Sequence, residues 1–102
     1  MVDTHIYGGI DSKSDLEKVF REIRKDVSEA KSRAGLTELY KRAGYLITLT
    51  FAPSWDEKFG TEAKKLRHDA REEFTTTARK INSRAKAIGT EADYDEKWGD
   101  GR

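Results

Sequence analysis

Apolar residues recur early in the chain in alternating steps of four and three, the spacing that places side chains on one face of a helix. Ser14 is followed three residues later by Glu17, as in the reciprocal capping pair that opens helices. Gly35 is a residue type that often ends a helix. We therefore predict a first helix over residues 14–34. Its apolar stripe consists of Leu16, Phe20, Ile23, Val27, Ala30 and Ala34.

The second segment, residues 36–52, fits two patterns. Its apolar residues lie on one helical face, yet the run YLITLTF (45–51) is rich in the β-branched and aromatic residues typical of strands. A single strand cannot satisfy its own backbone hydrogen bonds, and the only candidate partner is the short run THIYG (4–8). The balance favours a helix over 36–52, softened by Gly44, and a strand at 45–52 stays open as the alternative.

A third apolar stripe follows Pro53, which ends the second segment. Ser54 and Glu57 repeat the capping spacing. We predict a third helix over residues 55–88. Three adjacent threonines, Thr75-Thr77, lose side-chain freedom in a helix because they are β-branched, so a break there into a fourth helix is the alternative.

These lengths predict an all-α fold, a three-helix up-down-up bundle with a long third helix. At about 1.5 Å per residue the helices span roughly 31, 26 and 51 Å, so the third overhangs its companions by about five turns. A second copy of the chain, a fold-back at the threonines, or aromatic residues of the tail would cover the overhang. We expect a self-associating, coiled-coil-like homodimer. The overhanging residues are Ala78, Ile81, Ala85 and Ile88.

Composition is consistent with one small globular domain. Of 102 residues 38% are charged, but the net charge is only +1. Disorder usually combines low hydrophobicity with high net charge, so this balance favours long amphipathic helices. We assign residues 1–89 to a helical domain and residues 90–102, TEADYDEKWGDGR, to an acidic, partly disordered tail.

The chain contains no cysteine, which excludes disulfides and thiolate metal sites within it. The start MVDTHIYGG lacks the basic-then-apolar layout of a secretory signal, and no apolar run approaches the roughly 20 residues of a membrane span. We therefore expect a cytoplasmic protein that does not enter membranes.

Residues suited to catalysis or metal binding are few. His68 and Glu72 share a helical face and could contact a metal together, but no further ligands follow at the spacing of zinc or di-metal carboxylate sites. No nucleophile is matched with a base. We expect no metal, no cofactor and no enzymatic activity.

A basic stretch without acids occupies residues 75–89, TTTARKINSRAKAIG. Residues 61–89 hold eight Lys or Arg against four acids, whereas the tail holds five acids against two basic residues. The excess of cations could complement the helix C-terminus, attract the acidic tail, or bind the phosphates of DNA or RNA. The candidate residues for anion or nucleic-acid binding are Arg79, Lys80, Arg84 and Lys86.

Aromatic residues supply a second candidate surface. Trp55 and Phe59 follow the Pro53 turn, where they either lock two helices together or form a patch for a protein partner. Aromatic residues in a polar tail either dock back onto the domain or contact a partner. The candidate residues for partner binding are Trp55, Phe59, Ile81, Ile88, Tyr94 and Trp98.

These observations favour a non-enzymatic helical interaction module, an adaptor or regulatory subunit that acts through oligomerisation and helix-face contacts. The alternative is a nucleic-acid-associated protein that uses the basic end of the third helix. Neither the protein partner nor a DNA or RNA target can be specified from residue types alone.

Overall fold

The structure, a computed structural model, describes residues 10–98, which form three long helices and one short helix. These are α1 (Lys13–Glu29), α2 (Arg33–Thr50), α3 (Pro53–Phe59) and α4 (Ala63–Ala87), and a 3-10 turn over Gly60–Glu62 precedes α4. Residues 10–98 contain no strand. The predicted all-α class is therefore confirmed, as is the helix favoured up to residue 50. Residues 4–8, the alternative strand partner, and the last four residues of the tail lie outside the described residues.

A serine cap begins each of the first two helices. Ser12 precedes α1, and its Oγ accepts a hydrogen bond from the backbone N–H of Asp15 at 3.2 Å. Ser32 caps α2 in the same way, accepting from the N–H of Gly35 at 3.1 Å. Because Gly35 belongs to the first turn of α2, it does not end α1, which stops at Glu29, short of the predicted residue 34.

The third predicted helix is divided at Gly60 and not at the threonines. Gly60 has a φ of +56°, a left-handed conformation that glycine adopts without strain, and α3 ends there. The hydroxyls of Thr75, Thr76 and Thr77 donate to the carbonyl oxygens four residues earlier at 3.0, 3.1 and 2.8 Å. These bonds satisfy the β-branched side chains within the helix, so α4 continues through them. The alternative break at the threonines is therefore wrong.

The hydrophobic core lies where α4 packs against both α1 and α2. The Cα radius of gyration is 13.7 Å, close to the value of about 13 Å expected for a folded chain of this length. The largest fully buried apolar side chains are Phe20, Phe74, Leu16, Leu36, Leu46, Ile81 and Val27.

The predicted overhang is absent. Ala78, Ile81 and Ala85 are 0% exposed within a single chain, and Ile88 is half-buried against the same core. The division at Gly60 shortens the last helix, and the core side chains of α1 and α2 reach its C-terminal half. Full burial of Ile81 contributes roughly 1.5–3 kcal/mol without a second copy. The overhang therefore no longer supports self-association.

A partly buried ion pair joins α1 to α4. The guanidinium of Arg24 donates to the carboxylate of Glu73 at 2.9 Å and to the hydroxyl of Thr77 at 3.1 Å. Thr77 is itself fully buried, so this contact also satisfies a polar group inside the core. None of the helices within residues 10–98 is long and apolar enough to cross a bilayer.

Candidate interaction site

The end of α4 turns the tail back toward the helix. Gly89 has a φ of +79°, and its N–H donates to the carbonyl of Lys86 at 3.2 Å. The N–H of Thr90 donates to the carbonyl of Ala85 at 2.9 Å. This pair of bonds is the Schellman arrangement, which satisfies the last carbonyls of a helix and reverses the chain direction. The tail therefore leaves α4 on a path along its own helix.

Residues 90–98 lie in the groove between α2 and α4, which we call the α2–α4 seam. Tyr94 contacts Asn82, and Trp98 contacts Phe74, so the tail runs antiparallel to α4. Between these two contacts the tail follows the seam and bends at residues 96 and 97. The seam is lined by Thr37, Tyr40, Gly44 and Thr48 of α2 and by Phe74, Thr75, Arg79 and Asn82 of α4.

Side chains of the seam bind the main chain of the tail. The amide of Asn82 donates to the carbonyl of Tyr94 at 2.9 Å and accepts from its N–H at 2.7 Å. The hydroxyl of Tyr40 donates to the carbonyl of Asp95 at 2.8 Å. The single hydroxyl proton of Thr75 is shared between the carbonyls of Arg71 at 3.0 Å and Glu96 at 3.2 Å. Three consecutive tail residues are thus held by backbone groups that every amino acid carries.

Aromatic rings form the apolar part of the seam. The ring of Tyr40 lies at the centre, with ring centroids 4.8 Å from Tyr94, 5.2 Å from Trp98 and 5.6 Å from Phe74. Phe74 and Trp98 also meet, at 6.2 Å. These separations lie in the range of favourable aromatic pairs, each worth about 0.5–1.5 kcal/mol beyond its buried area. The tail therefore contributes two of the four rings of one cluster.

The indole of Trp98 rests on the surface of α2 at Gly44. A Cβ at this glycine would overlap the six-membered ring of the indole. The indole N–H donates to the hydroxyl of Thr48 at 3.3 Å, and that hydroxyl donates to the carbonyl of Gly44 at 3.2 Å. The missing side chain in the middle of α2 therefore makes room for a flat ring with an N–H donor.

One ion pair joins the acidic tail to the basic stretch. The guanidinium of Arg79 donates to the carboxylate of Glu96 at 3.0 Å, in a largely exposed position. Within the tail, the carboxylate of Asp95 accepts from the N–H of Lys97 at 2.9 Å, which stabilises a turn there. The tail thus neutralises one of the four cations that the sequence singles out.

The structure divides the predicted partner-binding residues into two groups. Tyr94 and Trp98 meet in the seam, as above. Trp55 is only 7% exposed and its indole N–H donates to the carbonyl of Ala63 at 3.2 Å, while Ile81 is fully buried. These two residues hold the core together and are not a surface for a partner, which corrects that part of the prediction. Phe59 and Ile88 are half-buried against the core.

The four candidate anion-binding residues do not share one surface. Arg79 faces the tail, whereas Arg84 donates to the carbonyl of Ala30 at 2.9 Å, at the end of α1. Lys80 and Lys86 are exposed and pair with no acid among residues 10–98. They are six positions apart on α4 and therefore about 120° apart around its axis. The basic stretch is thus distributed between a tail contact, a helix cap and two separate exposed amines.

Other polar side chains lie beside a groove next to the seam. A groove of about 660 Å³ runs beside Trp98 and is bordered by His68, Arg71 and Glu72. His68 and Glu72 are exposed and lie 3.1 Å apart, one helical turn from each other. Among residues 10–98, no three His, Cys, Asp or Glu side chains come together in a way that could hold a metal ion.

The residues that hold the tail could not be selected from sequence. The sequence pattern singles out Gly44 only as a weak point of the second helix, and it gives Asn82 no role in holding the tail. Phe51, outside the seam, is also more exposed than its residue type suggests. Its side chain is 55% exposed, and the guanidinium of Arg67 lies 5.0 Å from its ring centre. A mid-helix glycine in an aromatic-rich segment is one signal in the sequence for a docked ring.

Comparison with protein-family models, with curated proteins and with solved structures produced no match to this chain. The functional assignment therefore depends on the geometry of the α2–α4 seam. Its features are main-chain hydrogen bonding, an aromatic cluster and a single ion pair, all directed at an extended segment.

Proposed function

We propose that this protein is a non-enzymatic interaction module, an adaptor or regulatory subunit, that binds an extended segment of a partner protein in the α2–α4 seam. The tail is the resident occupant of that seam, and the partner segment competes with it. Grooves that bind peptides commonly combine main-chain hydrogen bonds for affinity with pockets for side chains.

The main observation in support is the pair of hydrogen bonds between the amide of Asn82 and both backbone groups of Tyr94, at 2.9 and 2.7 Å. An asparagine amide that bonds one residue's N–H and C=O together satisfies an extended chain as a neighbouring strand does. Because these are backbone groups, a segment of another protein can make the same bonds.

The scaffold in this proposal is an up-down-up bundle of α1, α2 and α4. In the contacts between α1 and α4, a later residue of α1 meets a later residue of α4. In the contacts between α2 and α4, a later residue of α2 meets an earlier residue of α4. The first kind includes Lys13–Asp69 and Arg24–Glu73, and the second Thr50–Arg67 and Tyr40–Phe74. This order supports parallel packing of α1 with α4 and antiparallel packing of α2 with α4. Two long helices then form the walls of the seam.

The tail acts as an intramolecular competitor. A short connection holds it at an effective concentration in the millimolar range. If the seam is open for only about one molecule in a hundred, the apparent dissociation constant of a partner is about a hundredfold higher than its intrinsic value. Substitutions that detach the tail should therefore raise affinity for external segments.

The test uses the full chain with Tyr94→Ala and Trp98→Ala, which we call the open variant, and a fluorescent peptide of residues 90–98. Fluorescence anisotropy should show saturable binding of the peptide to the open variant. The dissociation constant for the native chain should be higher by about tenfold or more, because the native tail competes. Adding Asn82→Ala to the open variant should remove binding. The matched control is Lys80→Ala, an exposed position on the same helix, which should leave binding unchanged.

Circular dichroism first establishes that each variant keeps its helices. If the open variant does not, the single Trp98→Ala chain replaces it under the same criteria. A folded variant that shows no saturable binding of the peptide contradicts the proposal and makes the tail a purely structural strap.

The nucleic-acid alternative has weaker support. Arg79 is paired with Glu96 and Arg84 with a backbone carbonyl, which leaves Lys80 and Lys86 as separate charges. Affinity for nucleic acid depends on the number of phosphates contacted and falls steeply with salt. If the function is nucleic-acid binding, the open variant retains DNA or RNA at low salt more strongly than the native chain does. Homodimerisation likewise stays a prediction, without the overhang as its basis.

A further inference from the structure

The tail meets the seam through every second residue. Along residues 91–98 the even-numbered side chains are half-buried and the odd-numbered ones exposed. Over residues 91–95 this is the alternation of an extended chain, which places successive side chains on opposite faces. The chain bends at residues 96 and 97, and Glu96 and Trp98 still contact the domain beyond the bend. The inward positions are Ala92, Tyr94, Glu96 and Trp98, and the outward ones are Glu91, Asp93, Asp95 and Lys97.

The Trp98 position is the most selective for shape. Its surface is built from a glycine without a Cβ and from the rings of Tyr40 and Phe74. The hydroxyl of Thr48 accepts from the indole N–H at 3.3 Å. A flat ring with an N–H donor fits this position, whereas a smaller side chain would leave the aromatic surface uncovered.

The Tyr94 position recognises a ring that carries a hydroxyl. Its hydroxyl shares a hydrogen bond of 2.6 Å with the hydroxyl of Thr37, and its ring lies against Tyr40. A phenylalanine would leave the Thr37 hydroxyl without this partner. Sites that hydrogen-bond a ligand hydroxyl discriminate against the analogue that lacks it.

The Glu96 position recognises negative charge. Its carboxylate accepts from Arg79 at 3.0 Å, while its carbonyl accepts from Thr75 at 3.2 Å. Because the pair is largely exposed, it gives modest affinity but penalises a cation at this position.

We propose, building on the proposed function, that the partner of the seam is an extended protein segment with a small residue, a tyrosine, an acid and a tryptophan at alternate positions. The tail is one example of this pattern, Ala-x-Tyr-x-Glu-x-Trp over residues 92–98. Residues at the outward positions are not selected by the seam. The spacing of two therefore carries as much of the specificity as the residue types do.

A peptide panel tests this inference on the open variant described above. The native peptide of residues 90–98 is compared with peptides carrying Trp98→Ala, Tyr94→Phe, Glu96→Gln and, as the outward control, Asp93→Asn. We expect losses of about thirtyfold for the tryptophan, as for a central interface ring. The tyrosine hydroxyl should contribute about fivefold, the acid about threefold, and the outward control less than about twofold.

A register-shifted peptide tests the spacing itself. Exchanging only Asp93 and Tyr94 gives TEAYDDEKW, which has the composition of the native peptide but places its two rings five residues apart. We expect it to bind about tenfold more weakly, because the two rings then point to opposite faces and only one of them can dock in any register. Equal binding of the native and shifted peptides overturns the inference.

Exchanging the charges of Arg79 and Glu96 tests the acid position. A purely structural role of Arg79 would not make the seam prefer a cation at this position. Arg79→Glu in the open variant should weaken the native peptide about tenfold and should favour a peptide with Glu96→Lys. Failure of that peptide to recover binding contradicts the assignment. If even the native peptide does not bind, the proposed function fails; if it binds but the panel is flat, only the recognition pattern fails.

Discussion

The indole of Trp98 occupies the space that a side chain at Gly44 would fill, so a residue of the tail and a glycine of α2 are complementary across 54 positions of sequence. Glycine in the middle of a helix is less favourable than alanine by about 1 kcal/mol. Here the loss of helix stability is offset by the contact that the glycine permits. Local helix preference therefore yields to long-range packing at this position.

Gly44→Ala should strengthen α2 and expel Trp98. The gain of about 1 kcal/mol from helix propensity is smaller than the roughly 1.5–3 kcal/mol of a docked large side chain, so we expect a net loss of stability. Acrylamide quenching should rise, because Trp55 stays buried and the increase reports Trp98. Gly35→Ala, in the first turn of the same helix, is the control and should not change quenching. Unchanged quenching in the Gly44 variant would show that the ring does not dock there.

Asn82→Ala should loosen the tail without disturbing the core. It removes the two hydrogen bonds to Tyr94, with an expected loss of about 1–3 kcal/mol. Hydrogen exchange should become faster at the Tyr94 amide while amides in the middle of α1 keep their protection. The neighbouring exposed Ser83→Ala should leave both unchanged. Equal acceleration throughout the helices would contradict a local role.

Ile81→Ala should destabilise the chain as a core substitution and not as an interface substitution. A fully buried isoleucine truncated to alanine typically lowers the free energy of unfolding by about 2–5 kcal/mol. Thermal unfolding of the native chain and the variant is compared at two protein concentrations. A midpoint that rises with concentration only in the native chain would falsify burial within one copy, because dimer dissociation depends on concentration. Lys80→Ala serves as the exposed control.

Arg24→Ala should remove a hydrogen-bond donor from two polar groups of α4. The carboxylate of Glu73 and the hydroxyl of Thr77 both accept from Arg24 in a partly buried position, so we expect a loss of about 1–3 kcal/mol. Urea denaturation should show a lower midpoint with an unchanged slope. The exposed Arg21→Ala on the same helix is the control, with a change within about 0.5 kcal/mol. A loss as large in the control would assign the effect to helix propensity.

The helices themselves were largely predictable, because an apolar stripe is a local and repeated signal. Their boundaries were less so. The Ser-x-x-acid spacing occurs at both Ser12 and Ser14, and only the first caps α1. At the third helix, Pro53 occupies the first turn, so the predicted cap at Ser54 is not used. Spacing alone does not distinguish between such neighbouring candidates.

The error with the largest consequence concerned Gly60. Intrinsic preference placed the alternative break at the threonines, whereas the structure divides the predicted helix at Gly60. In the structure the hydroxyl of Thr77 bonds the carbonyl of Glu73, which turns an unfavourable residue into a compatible one. Because the length of the third helix was overestimated, an overhang and a dimer were inferred from it.

The seam was not predictable as a site, because its members lie far apart in the chain and each is ordinary alone. Asn82 and Tyr94 are twelve residues apart, and Thr37 and Tyr94 fifty-seven. The tail did carry a usable signal: Ala92, Tyr94 and Trp98 all lie at even-numbered positions, although Glu96 interrupts the apolar series. Such alternation in a segment too short to form a sheet indicates that one side rests on another surface.

The Schellman arrangement at Gly89 determines how the tail can come off. The bonds from Gly89 and Thr90 close the last turn of α4 before the docked part of the tail begins. Detaching residues 91–98 therefore leaves the bonds to the carbonyls of Ala85 and Lys86 in place. Once the contacts of the tail are broken, exchange between occupants requires rotation of the chain only near Gly89 and Thr90. Such segments move on the nanosecond-to-microsecond timescale of loops, and the helices stay folded.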